Sequence, residues 1–248
     1  MTKKNGKVVL LSGGMGGVGS ATAALLIENG YRVAVLYRSS SQAEVQEKKK
    51  TLGEYSFFLQ CDITDFKETQ LAVKKVLDHF GAIDICIHAA IGRITRKPIL
   101  EMKEEEFRSE FEAGLFGAFN LFSSALPSMK KQHEGMLIGI TSSTVEAGSG
   151  ARMGTYSTAK FALRGLLREL HKELKAEGIS VYAVAPDLLK TALTSDLPEK
   201  YFEFAEAKTP NKKLMTPLDV AQIVLAVCRG EVKSGSSVLV STGEVTAL

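Results

Sequence analysis

The chain has 248 residues, 45% of them apolar, with 31 lysines and arginines against 28 acidic residues. That apolar share and a net charge of only +3 exclude disorder, and 22 glycines and six prolines without a period exclude collagen-like or low-complexity chains. Charges of both signs are interspersed and Lys48-Lys49-Lys50 is the one run of three, so neither nucleic acid nor a membrane surface is an expected partner.

No apolar stretch approaches the ~20 residues that span a bilayer, and the opening residues 1–6 carry no secretory signal. Cys61, Cys86 and Cys228 form no Cys-x-x-Cys pair, and two of them sit in apolar strand-like runs. They read as buried free thiols of a cytoplasmic protein. The four histidines lack metal-ligand spacing, so no metal is expected.

Short β-branched runs alternate with helical patterns along the chain. Strands are expected at Val8–Leu11, Val33–Leu36, Ser56–Leu59, Ile83–Ile87, Met136–Thr141, Ile179–Val184 and Val238–Val240. These are continuous apolar runs, as strands covered on both faces require. Helices are expected near Val18–Glu28, Gln42–Leu52, Phe66–His79, Lys103–Met129, Thr155–Ala176 and Pro217–Cys228. Gly30, Gly81 and Gly178 stand between a helix and a strand, where helix C-caps belong. Repeated βα units predict an α/β fold: one doubly wound Rossmann-type domain over residues 1–248, with a seven-stranded parallel sheet and helices on both faces. The least regular stretch, 187–215, contains only a short amphipathic piece, Glu199–Lys208. Its place after the sixth strand is that of a lid over a substrate.

Ser12-Gly13-Gly14-Met15-Gly16-Gly17-Val18-Gly19 follows the first strand and opens the first helix. Glycines there let backbone amides approach a pyrophosphate. Two registers fit the letters, Gly14-x-Gly16-x-x-Gly19 and Gly13-x-x-x-Gly17-x-Gly19. The end of the second strand selects between dinucleotides, because an acid there binds ribose hydroxyls and an arginine accommodates a 2′-phosphate. Tyr37-Arg38-Ser39-Ser40-Ser41 offers arginine and hydroxyls with no acid before Glu44, which favours NADP(H) over NAD(H).

A second cluster pairs Ser142-Ser143 at the end of the fifth strand with Tyr156-Ser157-Thr158-Ala159-Lys160. Tyr156 and Lys160 at i and i+4 share a helix face. A neighbouring ammonium lowers the pKa of a phenol, ordinarily ~10, and makes it a usable acid near neutrality.

With its glycine loop and Tyr156-x-x-x-Lys160, the chain resembles the classical short-chain dehydrogenase/reductase family over its whole length, and within it the 3-oxoacyl-[acyl-carrier-protein] reductases of fatty-acid synthesis. Cys61-Asp62-Ile63-Thr64-Asp65, Ala185-Pro186-Asp187 and Met215 to Ala221 carry the likeness further, as does Met129 to His133. The resemblance implies an NADPH-dependent enzyme that reduces a carbonyl, on a 3-oxoacyl thioester or another small ketone. Tyr156 would be the general acid, Ser143 would polarise the carbonyl, and Lys160 would hold the nicotinamide ribose. Cofactor contacts are implied for Ser12, Gly13, Met15, Gly17, Val18, Gly19, Arg38, Ser39, Asp62, Ile63, Ala89, Ala90, Tyr156, Lys160, Pro186, Leu189 and Thr191. It also implies a homotetramer or homodimer built on the helices that carry Phe116, Phe119 and Phe161. A dinucleotide-binding sensor with weak catalysis is the competing class.

Several residues depart from the family pattern. Gly114 stands where an asparagine usually anchors the water of a proton relay, and Asn120 lies six residues on, out of helical register. A local helix kink there would free backbone groups to hold that water. His88-Ala89-Ala90-Ile91 replaces Asn-Asn-Ala-Gly, Asp187 replaces a glycine, and Glu177 replaces a basic residue that docks the acyl carrier.

Overall fold

The computed structural model describes residues 6–148, 150–209, 212–241 and 244–248. Residues 1–5, and residues 210 and 211 inside the expected lid, lie outside this description. The strands are β1 (Val8–Ser12), β2 (Arg32–Tyr37), β3 (Ser56–Gln60), β4 (Ile85–His88), β5 (Gly135–Ile140), β6 (Ile179–Ala185), β7 (Ser236–Leu239) and β8 (Val245–Ala247). The helices are α1 (Gly17–Glu28), α2 (Gln42–Leu52), α3 (Phe66–Phe80), α4 (Glu104–Phe111), α5 (Gly117–Gln132), α6 (Thr144–Ala147), α7 (Gly154–Leu174), α8 (Glu199–Lys208) and α9 (Pro217–Cys228).

The sheet runs β3-β2-β1-β4-β5-β6-β7-β8. Every pairing is parallel except β7 with β8. Eight strands therefore replace the seven expected. The extra one is a three-residue antiparallel edge, Val245-Thr246-Ala247, too short and too exposed to register as an apolar run. The chain reverses direction across the sheet between β1 and β4, which opens a crevice beyond their carboxyl ends.

Alternate residues of each strand feed two cores. Val8 and Leu10 join Val73, Val76, Leu121, Phe122, Leu163 and Leu167 from α3, α5 and α7. Val9 and Leu11 face Ala23, Leu26, Val220 and Val224 from α1 and α9. Both faces are dry, which is why the strands read as unbroken apolar runs.

Local signals set the boundaries. Gly81 and Gly178 end their helices in the left-handed region, at φ +84° and +76°. Ser41 and Glu44 close a reciprocal capping box on α2, as Thr216 and Asp219 do on α9 ahead of Pro217. The Asp84 carboxylate accepts from the Val8 amide at 2.6 Å, and the paired part of β4 begins only at Ile85.

The long helix expected over Lys103–Met129 is interrupted. A π-helical turn, Glu112–Phe116, separates α4 from α5 and is centred on Gly114. Glycine is a weak helix former and tolerates the wider turn. In α5, a Cβ on Gly117 would lie 2.7 Å from Ile63 Cδ1, so the helix passes very close to the loop after β3.

Candidate active site

Two adjoining cavities occupy the crevice, of about 300 and 710 Å³, and share Gly13, Gly16, Ala89 and Ile91 in their walls. The glycine loop lies between them. Gly13 has φ +69°, and a Cβ there would come within 2.7 Å of Ala89 and Ala90 backbone atoms. A Cβ on Gly19 would strike the Gly13 carbonyl, and one on Gly17 would meet Thr191 Cγ2 at 3.0 Å. Each glycine of the register Gly13-x-x-x-Gly17-x-Gly19 thus has a steric reason, and so do Gly14, whose Cβ would lie 2.5 Å from Val35 Cγ1, and Gly16, whose Cβ would lie 3.3 Å from the Gly13 carbonyl oxygen. Gly16 caps α1 without a side-chain bond and the first turn holds no acid, so the amide end of the helix is left free for an anion.

The smaller cavity is lined by Met15, Arg38, Ser39, Ser40, Asp62, Ile63 and Ala90. No carboxylate stands at the end of β2. The Asp62 carboxylate is engaged locally, accepting from the amide and the hydroxyl of Thr64 at 3.0 and 2.8 Å. Asn120 donates to the carbonyls of Ile63 at 2.9 Å and Thr64 at 3.2 Å, which fixes this loop and commits the amide away from Lys160.

The larger cavity brings Gly17, Val18 and Gly19 together with Ser142, Ser143, Tyr156, Lys160, Pro186, Leu189 and Thr191. Ser12 is the exception among the expected cofactor residues. It is fully buried, with its hydroxyl 3.0 Å from His88 Nδ1. As the last residue of β1 its side chain points along the sheet interior rather than into the crevice.

Lys160 is buried on α7 and its Nζ donates to the Ile140 carbonyl at 2.7 Å. Burial draws its pKa down to about 8, while the charge of Glu110 pushes the other way. The ammonium lies 5.9 Å from the Tyr156 ring centroid. Burial raises the Tyr156 phenol above its usual value; the Ser142 hydroxyl against it pulls down, Glu110 pushes up and Arg96 pulls down.

The hydroxyl that draws the Tyr156 phenol down is that of Ser142, which stands on the cavity wall beside Ser143, the serine expected from a spacing of thirteen residues. Ser142 is 5% exposed and its Oγ accepts from the Thr144 amide at 3.3 Å. Ser143 also borders the cavity, but its amide donates to the Pro186 carbonyl at 2.8 Å and it starts the turn into α6. The two adjacent serines differ in orientation, which residue spacing cannot reveal.

Two groups escape a reading by motif. His88 is fully buried, and burial holds its pKa down to about 3, so the ring is neutral at physiological pH. Lys160 acts on it in the same direction, and the Gly114 backbone opposes both weakly. Glu110 is 2% exposed on α4, the only charged residue there that is buried. Its polarity inside an otherwise exposed, acidic helix hides it.

The segment after β6 closes the far side of the large cavity with Leu188, Leu193, Leu197 and Tyr201. It is tied down by the Arg96–Asp196 ion pair at 2.6 Å and the Lys190–Glu199 pair at 2.6 Å. Among the described residues, no group of three His, Cys, Asp or Glu is placed to hold a metal, and no helix is long and apolar enough to cross a membrane.

Residues 7–201 match the family model described as short chain dehydrogenase. The chain is 32% identical over 242 residues to the 3-oxoacyl-[acyl-carrier-protein] reductase FabG of Staphylococcus aureus (strain Mu50), covering 96% of this chain and 97% of that one. It is 31% identical over 229 residues to the protein of the same name from Thermotoga maritima, covering 91% and 92%. Among solved structures, the 3-ketoacyl-(acyl-carrier-protein) reductase from Brucella melitensis complexed with NADH superposes with a TM-score of 0.87 at 22% identity, over 96% of this chain and 98% of that one. ElxO with NADP bound superposes equally, at 0.87 and 25% identity, over 95% and 97%. A dinucleotide crevice, a free helix amide end and the Tyr156–Lys160 pair on one cavity wall agree with these likenesses: the chain belongs to the short-chain dehydrogenase family of oxidoreductases.

Proposed function

We propose that the protein is an NADPH-dependent reductase that turns a carbonyl into an alcohol, with 3-oxoacyl thioesters as its substrate class. One observation carries the reading. Ser142, Tyr156 and Lys160 converge on the cavity whose other wall is the glycine loop, while Arg38, Ser39 and Ser40 line its extension without an acid.

The residues present fit a dinucleotide. The amide end of α1 and the bare glycines suit the pyrophosphate, and Arg38 with its serines suits a 2′-phosphate. Asp62, Ile63, Ala89 and Ala90 lie where adenine and ribose would rest; Pro186, Leu189 and Thr191 lie on the nicotinamide side. The bound nicotinamide supplies the hydride. Tyr156 donates its phenolic proton to the substrate oxygen, and the Ser142 hydroxyl holds that oxygen beside it. The Lys160 ammonium stabilises the phenolate left behind and offers its remaining N–H groups to a ribose hydroxyl.

We read residues 1–248 as one domain and 187–215 as its lid, whose leucines and Tyr201 suit an acyl chain. Lys130 and Glu177 pair at 2.6 Å, which neutralises the surface where a carrier protein would dock. This favours thioesters presented on coenzyme A over those on an acyl carrier protein. Phe116 at the end of the π-helical turn, Phe119 on α5 and Phe161 on α7 are about half exposed, and we assign them to a two-fold interface of a homodimer or tetramer. The buried cysteines fit a reducing cytoplasm, burial raising Cys61 to about 11 and Cys228 to about 12.

The lack of a side chain at Gly114 favours one second reading, a cofactor-binding protein with weak catalysis. NADPH consumption across a carbonyl panel, including acetoacetyl thioesters on coenzyme A and on carrier protein, separates the two. Turnover of the thioesters supports the reductase. Tight NADPH binding without consumption of any carbonyl supports the second reading.

A further inference from the structure

The large cavity has an unbalanced wall. Among the described residues that line it, Arg96, Arg152 and Lys160 are the cations and Asp187 is the one carboxylate. Lys160 is committed to the Ile140 carbonyl, and Asp187 follows Pro186 on the side read as the nicotinamide's. The two arginines come from the loop after β4 and from the turn into α7, four residues before Tyr156. Both stretches abut the segment after β6: Arg96 pairs with Asp196, and a Cβ on Gly150 would lie 4.0 Å from the Tyr201 hydroxyl. Their neighbours in the wall, Ile94, Met153, Leu193 and Leu197, are apolar, and a charge in such a wall is weakly screened.

Both guanidinium groups have donors to offer. The Arg96 side chain is only 17% exposed and uses Nη1 to reach Asp196 Oδ2 at 2.6 Å. It makes no other hydrogen bond among the described residues. The Asp196 side chain is 52% exposed, so water competes for its carboxylate and the tie is weak. Arg152 has no ion-pair partner among the described residues, and its backbone stands in the left-handed region at φ +64°. A residue with a side chain adopts that conformation at a cost, and such residues gather at ligand clamps.

We propose that Arg96 and Arg152 form an oxyanion subsite on the substrate side of the cavity, where the anion of a carbonyl compound takes the place of Asp196 on Arg96. A planar guanidinium matches the two oxygens of a carboxylate or a phosphate. A free 3-oxo acid brings the first and a coenzyme A thioester the second. The inference deepens the reductase reading and rests on it for turnover; recognition of the anion is measured without turnover.

Calorimetric titration of the NADPH-saturated protein compares two pairs of probes that NADPH does not reduce. The first pair is 3-hydroxybutyrate and its methyl ester; the second is coenzyme A and pantetheine. In at least one pair the anionic member is expected to bind at least about tenfold tighter, the scale of one charge-assisted hydrogen bond, and the pair that splits identifies the anion. Arg96→Gln and Arg152→Gln are each expected to reduce that split. Asp196→Asn breaks the ion pair but leaves Arg96, and is expected to keep the split or widen it. Equal binding within both pairs overturns the proposal, as does a split that survives either arginine substitution. A split lost in Asp196→Asn as fully as in Arg96→Gln overturns it too, because the ion pair would then only tie down the segment after β6. In turnover, kcat/KM for the preferred anionic substrate, acetoacetate or acetoacetyl coenzyme A, is expected to exceed that for the uncharged N-acetylcysteamine thioester. Failure to reduce any carbonyl would remove the reductase reading and leave the calorimetric result to decide the subsite.

Discussion

The Lys160 ammonium donates to the Ile140 carbonyl at 2.7 Å, two residues before Ser142, whose hydroxyl draws the Tyr156 phenol down. The end of β5 and the residues just after it thus act on both members of the α7 pair. Ser142→Ala is expected to lower the single-turnover rate about 10²-fold, the scale of one lost transition-state hydrogen bond. Ser143→Ala, which keeps the backbone bond to Pro186, is expected to stay within a few-fold of the parent. The reverse ranking would restore Ser143 as the partner of the substrate.

The adenine end carries the second prediction. Arg38→Ala is expected to weaken NADPH by roughly 1.5–3 kcal/mol, the range for a charge-assisted hydrogen bond, and to leave NADH nearly unchanged. Fluorescence titration of both cofactors measures it. Equal affinities for the two cofactors in the parent protein would contradict the assignment of Arg38.

Gly114→Asn tests the proton path. The Cβ built on Gly114 meets only Ala159 Cβ, at 4.0 Å, so an asparagine enters without a clash at its root. The π-helical turn already widens the backbone at this point. The variant is expected to reduce carbonyls faster in a single turnover, with cofactor affinity unchanged. A rate that stays level or falls would show that the turn itself, or another group, already serves the relay.

The alternation of strands and helices is legible because each element writes its own period: apolar runs for strands with two buried faces, caps and glycines for helix ends. The glycine loop is legible for the same reason, its steric demand being local. What stays hidden is decided by tertiary placement. Ser142 and Ser143 are chemically equal in the chain, and only the turn from β5 into α6 makes one face Tyr156. Ser12 sits at the head of a phosphate motif, yet β1 turns its hydroxyl to His88. Glu110 lies among Glu104, Glu105, Glu106 and Glu112, so nothing in the letters marks it as the buried one. The edge strand β8 is three residues long and exists through its pairing with β7.

His88 gives the fold a pH dependence of known sign. Its folded pKa of about 3 lies below the usual 6.5, so as pH falls below 6.5 the unfolded chain binds the proton first. Stability is expected to fall by up to about 1.4 kcal/mol per pH unit between 6.5 and 3 from this residue. Lys160 has the same sign in another window: its cost is fully present below about pH 8 and fades as pH rises toward 10.5. Urea melts of His88→Asn, in which the amide retains a partner for Ser12, are expected to show a shallower acid slope than the parent. Identical slopes would mean that the ring is solvated or already charged in the folded protein.

Stopped-flow NADPH oxidation with acetoacetyl coenzyme A, in the parent protein and in Tyr156→Phe, tests the reductase assignment most directly. A single-turnover burst is expected in the parent, and a loss of at least about 10²-fold in Tyr156→Phe, with NADPH still bound. A parent protein that binds NADPH and transfers no hydride, or a Tyr156→Phe variant that reduces at the parent rate, would contradict it.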